Sequence, residues 1–405
     1  MSHPTSLPQD VQIPATSLWA KLPMLGGLLG VVGLGATLGT AIGAHSQRAM
    51  FSYLWAFIAF LSIALGAMAW VLLEHLTRAA WSVVVRRIGE LTMATLPLFA
   101  LLWLPIATSG MHALYPWTHE NDEILARKRW FLTEPFFHGR SLAYFLIWIG
   151  LAWLLYSQSV KQDTASSASE RERLTRRLWR VSAVGILLYG LTQSFAAIDW
   201  LMSMQPHWYS TIFGVYFFAG SILSFFAFLA LVSMGLQRAG VLKEAITTEH
   251  YHDIGKYVFG YTVFWAYIAF SQFMLIWYAN IPEETIFYLT RLGGGWAPIS
   301  YALPVLHFAV PFFFFMSRHI KRRRVTLALG AAWMLVMHLV DLYWLILPNF
   351  GEHGASHFAP SWLDAAALMG VGGAFFAVFG RLLASRRIVA IADPRLPESL
   401  AHENY

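Results

Sequence analysis

The sequence contains no cysteine in 405 residues. Thiolate-held iron–sulfur clusters, disulfides and covalently attached c-type haem are thereby excluded from this chain. Charge is the second scarcity. Asp, Glu, Lys and Arg make up 12% of the residues, where a soluble domain carries about 25%. The 28 basic and 22 acidic residues leave a formal charge of +6, scattered between long apolar runs, and no nucleic-acid partner is expected. The first 21 residues lack a basic stretch followed by a short apolar core, so a cleaved signal is not expected either.

What is abundant is apolar. Hydrophobic residues make up 57% of the chain, with 30 Phe, 18 Trp and 16 Tyr, and mean hydropathy is +0.53. Aromatic residues in this number suit lipid-facing and interfacial positions. A helix needs about 20 apolar residues to cross the hydrocarbon core. Ten stretches qualify, near 22–43, 52–73, 91–111, 141–157, 179–199, 210–236, 254–279, 298–316, 325–346 and 362–384. The expected fold is all-α and polytopic. If spans 2–5 (52–199) and 6–9 (210–346) form two four-helix bundles, the first span with its loop (22–51) and the last (362–384) flank them. A segment 1–21 and a tail 385–405 remain outside this single membrane domain (22–384). The first span ("GGLLGVVGLGATLGTAIG") and the tenth ("LMGVGGAFFAVFGRLL") are rich in small residues, which permit close helix approach. Pro97 and Pro105 interrupt the third.

Ten spans place both termini on one side. Of the 28 Lys and Arg residues, six (Arg48, Arg127, Lys128, Arg129, Arg140 and Arg291) fall on the opposite side and 22 on the side of the termini. Basic residues favour the cytoplasmic side, so both termini are expected in the cytoplasm. The outer loops, such as "WLMSMQPHWYS" and "LPNFGEHGASHFAPSW", are then aromatic in a way that marks partner or membrane-interface contact. In "NIPEETIFYLTRLGGG", Pro282 suits a first helical turn, and Glu283 and Glu284 favour its positive end. A short interfacial helix is expected there, ended by Gly293-Gly294-Gly295, with Glu283 and Glu284 as candidate partner-docking residues.

Ionisable residues inside spans are costly and are functional candidates by default. Glu74 and His75 end the second span, Asp199 closes the fifth and His307 sits midway in the eighth. His338 and Asp341 lie three apart in the ninth, on one helical face. "FAAIDWLMS" and "MHLVDLYWLILP" echo one another, each with a carboxylate near the outer end. For each residue the ordinary alternative is a polar group bonded to a neighbouring helix. As a set, Glu74, His75, Asp199, His307, His338 and Asp341 are staggered in depth as a proton path requires. Asp199 with His207 and Trp208, or Asp341 with Tyr343, suits a quinone pocket, which needs an apolar slot and a proton acceptor. His307 and His338 share a depth on consecutive spans, as bis-His ligation of a b-type haem would need. A solute transporter with broken, repeated spans is a further alternative.

Four segments carry a family resemblance: "RAAWSVVVRRIGE" (78–90), "IDWLMSMQPHWYSTIFGVYFFAGS" (198–221), "HDIGKYVFGYTVFWAYIAFSQFMLIWYANIPEETIFYLTR" (252–291) and "DLYWLILPNF" (341–350). With them the chain resembles the F subunit of bacterial alternative complex III, and through it the membrane subunits of polysulfide reductase and formate-dependent nitrite reductase. The resemblance implies a ten-helix subunit with two four-helix bundles, part of a respiratory quinol oxidoreductase that passes electrons to a cytochrome c or an oxidase. It implies a sister membrane subunit and periplasmic subunits holding the c-type haem and iron–sulfur clusters. It also implies no redox cofactor on this chain, and a proton-conducting role. Quinone remains a possible ligand, and no residue assignment carries over from the family.

Overall fold

The computed structural model describes residues 11–42, 46–120, 122–351 and 357–404. The described residues form helices and no strands. Ten helices are long and apolar enough to cross a membrane: α1 (Leu18–Ala41), α2 (Ser46–Thr77), α3 (Val83–Ala107), α4 (Glu134–Gln162), α5 (Ala168–Met204), α6 (Phe213–Arg238), α7 (Thr248–Ala279), α8 (Ala297–Met316), α9 (Arg324–Asn349) and α10 (Trp362–Ser385). The chain is a multi-pass all-α membrane protein.

Three spans differ most from the hydropathy reading. α3 starts at Val83 rather than near 91, because Arg86, Arg87 and Glu90 lie inside the helix and neutralise one another. α4 and α5 extend well beyond 141–157 and 179–199, because their polar ends continue the helix past the hydrocarbon. The prolines of the third span do interrupt it, splitting it into Val83–Met93, Leu96–Leu102 and Leu104–Ala107. α8 contains a π-helical turn at Pro304–Ala309.

Small residues set the closest approaches. α1 lies along α10, and a side chain on Gly33 would overlap the backbone of Gly370. α2 and α6 run through the centre with most of their surface buried. There a side chain on Gly66 would overlap the Ser221 carbonyl of α6. α2 also packs on α3 and α5, while α6 packs on α7 and α9.

α7 ends at Asn280, whose left-handed backbone (φ 50°) breaks the helix. A short helix, Pro282–Leu292, then starts with Pro282, Glu283 and Glu284 in its first turn and is capped by Gly293. The short helix expected here is present. Residues 385–405 were read as a tail outside the membrane domain, but the described part of that segment packs against the helix ends. The Ile388 N–H bonds the Val11 carbonyl at 2.9 Å, so both described ends of the chain meet on one face. Ser399 bonds the Trp81 carbonyl at 2.7 Å, and His402 bonds Asp253 at 2.5 Å. These tail residues add partners for the Trp81 carbonyl just before α3 and for Asp253 of α7, which Lys256 also bonds at 2.6 Å.

Candidate functional site

The buried polar residues fall into separate groups, and the one centred on Asp341 is the most unusual. Asp341 on α9 is 1% exposed. Its carboxylate accepts hydrogen bonds from the Tyr216 hydroxyl of α6 and from Trp265 Nε1 of α7 at 3.1 Å. No cation is paired with it among the described residues. A buried carboxylate held only by neutral donors pays for its burial without Coulombic return, which a merely structural role does not require.

His307 lies beside this group. The π-helical turn of α8 carries it inward, and its ring sits 3.8 Å from the Trp265 ring, centroid to centroid. The residue is fully buried, and neither ring nitrogen has a hydrogen-bond partner among the described residues. Single π-turns are frequent at functional sites. His338, one turn before Asp341, meets Ser62 Oγ of α2 through Nε2 at 2.8 Å, and its Nδ1 is unpartnered. It fits because Gly220 of α6 leaves room, with a Cβ there reaching 3.0 Å from the ring. The arrangement does not suit haem ligation by the two histidines, since the Trp265 ring covers His307 and Ser62 occupies His338 Nε2.

A cleft of about 500 Å³ opens on the same group. α7, α8 and the Pro282–Leu292 helix wall it, and Tyr267, Phe270 and Tyr301 at its mouth are mostly exposed. Its inner wall includes Tyr216 and Trp265, the two residues bonded to Asp341. Gln272, Tyr288 and Ser300 add polar groups to a lining that is otherwise apolar. A slot of this size and lining takes an apolar ligand with a few polar atoms. Beneath it, Arg291 is 1% exposed and bonds the Trp344, Leu345 and Phe287 carbonyls at 3.1, 2.8 and 2.8 Å. Burial pulls its guanidinium down to about 9, against the opposing effect of Tyr288 and Tyr216.

Asp199 belongs elsewhere. Arg140 of α4 grips it with both arms, Nε at 2.8 Å and Nη2 at 2.9 Å, and Tyr144 adds a third bond at 2.6 Å. The Arg140 guanidinium also stacks over Phe131 at 3.7 Å. A carboxylate so compensated has the geometry of a structural ion pair. It does not join the other candidates, and the echo between Asp199 and Asp341 is one of sequence and not of environment.

Glu74 accepts from the Ser82 hydroxyl, and His75 Nε2 has no partner. They lie at the tail side of the molecule, near a charge network absent from the sequence reading. There Arg86 bonds Asp393 at 2.5 Å and Glu90 at 3.3 Å, while Arg87 reaches Glu90 at 3.0 Å and Asp163 at 2.9 Å. Burial raises the Asp393 carboxyl, but Arg86 and Arg395 more than offset this and hold it at about 2. The "RRIGE" spacing of i, i+3 and i+4 carried the signal for part of this network. Its partners Asp163 and Asp393 had none.

Of the other quinone-pocket candidates, none lines the cleft. Tyr343 bonds Asp364 at 3.0 Å within a group that Arg48 holds bidentately at 2.8 and 2.7 Å. His207 meets Asp122 at 2.6 Å on the surface. Trp208 is buried and stacks on Phe287 at 4.1 Å. These contacts bind the loops at that end to one another. Glu283 is exposed and Glu284 half-buried at the start of their helix. No cluster of three His, Asp or Glu able to hold a metal ion occurs among the described residues. No protein-family model matches the chain, and no curated protein matches it significantly.

Proposed function

We propose that this chain is a membrane subunit of a bacterial quinol-oxidising respiratory complex of the alternative complex III kind, and that it conducts protons through the Asp341 group. The observation that carries the reading is the Asp341 carboxylate, buried between Tyr216 and Trp265 with no cation paired to it. A carboxylate and histidines buried in a membrane domain are the usual hardware of a proton relay. His307, with both ring nitrogens unpartnered, and His338, with one, continue the path towards α2. Glu74 and His75 supply its other end, on the side of the termini. The excess of basic residues on that side supports a cytoplasmic orientation. Redox chemistry falls to partners: a sister membrane subunit and periplasmic subunits carrying c-type haem and iron–sulfur clusters. The exposed Glu283 end of the interfacial helix and the aromatic loops are the surfaces offered to them.

A second reading rests on the cleft, in which the chain lines a quinone pocket. A quinol ring against Tyr216 would place its hydroxyl one hydrogen bond from the Asp341 acceptor.

One experiment separates the two. Asp341→Asn keeps an acceptor for Tyr216 but removes the proton-carrying group. In the intact complex reconstituted into vesicles, the first reading expects quinol oxidation to continue with fewer protons released per electron. Slower quinol oxidation with an unchanged proton ratio favours the pocket. Unchanged rate and ratio together remove Asp341 from both readings.

A further inference from the structure

A second feature lies at the far end of α5. Arg173, Arg176, Arg177 and Arg180 are all exposed and together surround one surface depression. Their spacing of three and four residues places them on one helical face. The opposite face is anchored, with Leu174 and Leu178 only 5% and 2% exposed. The turn leading into the helix is pinned as well. Ser167 caps it, and Gln162 of α4 bonds the Arg171 carbonyl at 3.1 Å and Thr175 Oγ1 at 2.8 Å. The arginines therefore project from a fixed scaffold.

Among the described residues, Arg176, Arg177 and Arg180 have no acidic partner, and Arg173 has only Glu170 at 3.9 Å. Further along the same face the residues become apolar. Val184, Leu187 and Leu191 are 61, 69 and 60% exposed, as side chains facing lipid are. A hydrocarbon core about 30 Å thick takes roughly 20 helical residues, and counting back from Trp200 ends it near Val181. Arg180 then stands at the hydrocarbon border and Arg173 about 10 Å beyond it, at a rise of about 1.5 Å per residue. That interval is the headgroup layer.

We infer that this face binds an anionic phospholipid carrying two phosphates, of the cardiolipin type, with its acyl chains along Val184, Leu187 and Leu191. Guanidinium groups engage phosphate oxygens through paired donors. Four of them spread over about 10 Å exceed what a single phosphate can occupy. An acidic soluble protein would meet only the outer part of the stripe, because Arg180 sits at hydrocarbon level. Trp179, with Arg78 over its ring at 5.1 Å, supplies an aromatic anchor at the same height.

The test is lipid titration of the delipidated protein, read by native mass spectrometry. Tetraoleoyl cardiolipin is the probe, and dioleoylphosphatidylcholine and inorganic phosphate are the comparisons. The expected result is tight binding of one cardiolipin, weakened at least about tenfold in Arg176→Gln/Arg177→Gln/Arg180→Gln. An equal removal of charge elsewhere, Arg238→Gln/Arg386→Gln/Arg387→Gln, should change the affinity less than about twofold. Equal loss in both triples means diffuse surface attraction and overturns the site. Displacement of the lipid by millimolar inorganic phosphate overturns the lipid assignment. If the glutamine triple fails to insert, the lysine triple at the same positions keeps the charge. It should still bind several-fold more weakly, because lysine lacks the paired donors, and unchanged affinity refutes the proposal.

Discussion

Replacing Arg140 by glutamine tests whether Asp199 is a structural anion or a proton carrier. The Asp199 side chain is fully buried and Arg140 is 11% exposed. The carboxylate receives two bonds from the guanidinium and one from Tyr144. Removing one partner of a buried pair costs about 3–5 kcal/mol, because the remaining charge is left uncompensated. Loss of the guanidinium over Phe131 and Phe136, at 3.7 and 4.4 Å, adds about 0.5–2 kcal/mol. Asp199→Asn is the milder change, because asparagine can still accept from Tyr144 and Arg140 keeps the Phe131 carbonyl at 2.9 Å. About 1–3 kcal/mol is expected there. Replacing both by apolar residues, Arg140→Met with Asp199→Leu, should cost less than the sum by at least about 2 kcal/mol. Reversible unfolding in mixed micelles by dodecyl sulfate titration measures all four corners of this cycle. Additive costs, or an Arg140→Gln penalty below about 1 kcal/mol, would refute the ion-pair argument. The functional corollary is that Asp199→Asn leaves the proton-to-electron ratio unchanged, unlike Asp341→Asn.

Two further outcomes follow from packing and from the tail. Gly33→Val should force α1 away from the Gly370 backbone and destabilise the protein by about 1–3 kcal/mol. Gly35→Val, whose added carbon meets nothing within 4 Å, should be neutral in the same dodecyl sulfate titration. Asp393 lies outside the spans with its carboxyl held at about 2 by Arg86 and Arg395. A depressed carboxyl contributes stability above its unfolded value near 3.9, lost as pH falls through the folded value. The stake is about 2 kcal/mol. The hydrogen-exchange protection of residues 388–400, relative to the intrinsic rate at each pH, should therefore stay high at pH 6 and fall between pH 4 and about 2. Protection independent of pH over that range would show that the Asp393 pair does not hold the tail.

The number of spans was legible in the sequence because membrane crossing is a one-dimensional property. Each helix must satisfy its own backbone and present about 20 apolar residues. The interfacial helix was legible for a similar local reason, with Pro282, the two glutamates and Gly293 forming its start and stop. The start of α3 was not. Hydropathy counts Arg86, Arg87 and Glu90 as loop residues, whereas the helix carries them inside by pairing them with each other and with Asp163 and Asp393. The contacts of the tail were not legible either, since nothing local distinguishes Asp393 or Ser399 from solvated residues.

The candidate residues divide in the same way. Residue type and depth alone singled out Asp341, His307 and His338, and the fold sets the first two against Trp265, with His338 one turn before Asp341 on α9. The same criteria singled out Asp199, and the fold gives it Arg140, counted from sequence as an ordinary outer-loop cation. Whether a buried carboxylate is compensated depends on which side chain of another helix reaches it within about 3 Å, and span periodicity carries no information on that. The sequence alone determined that ten helices among the described residues are long and apolar enough to cross a membrane, and which polar residues lie on them. Tertiary structure alone decided which of those carboxylates has a cation beside it and where a cleft opens, because both are set by side chains meeting between helices distant in the chain.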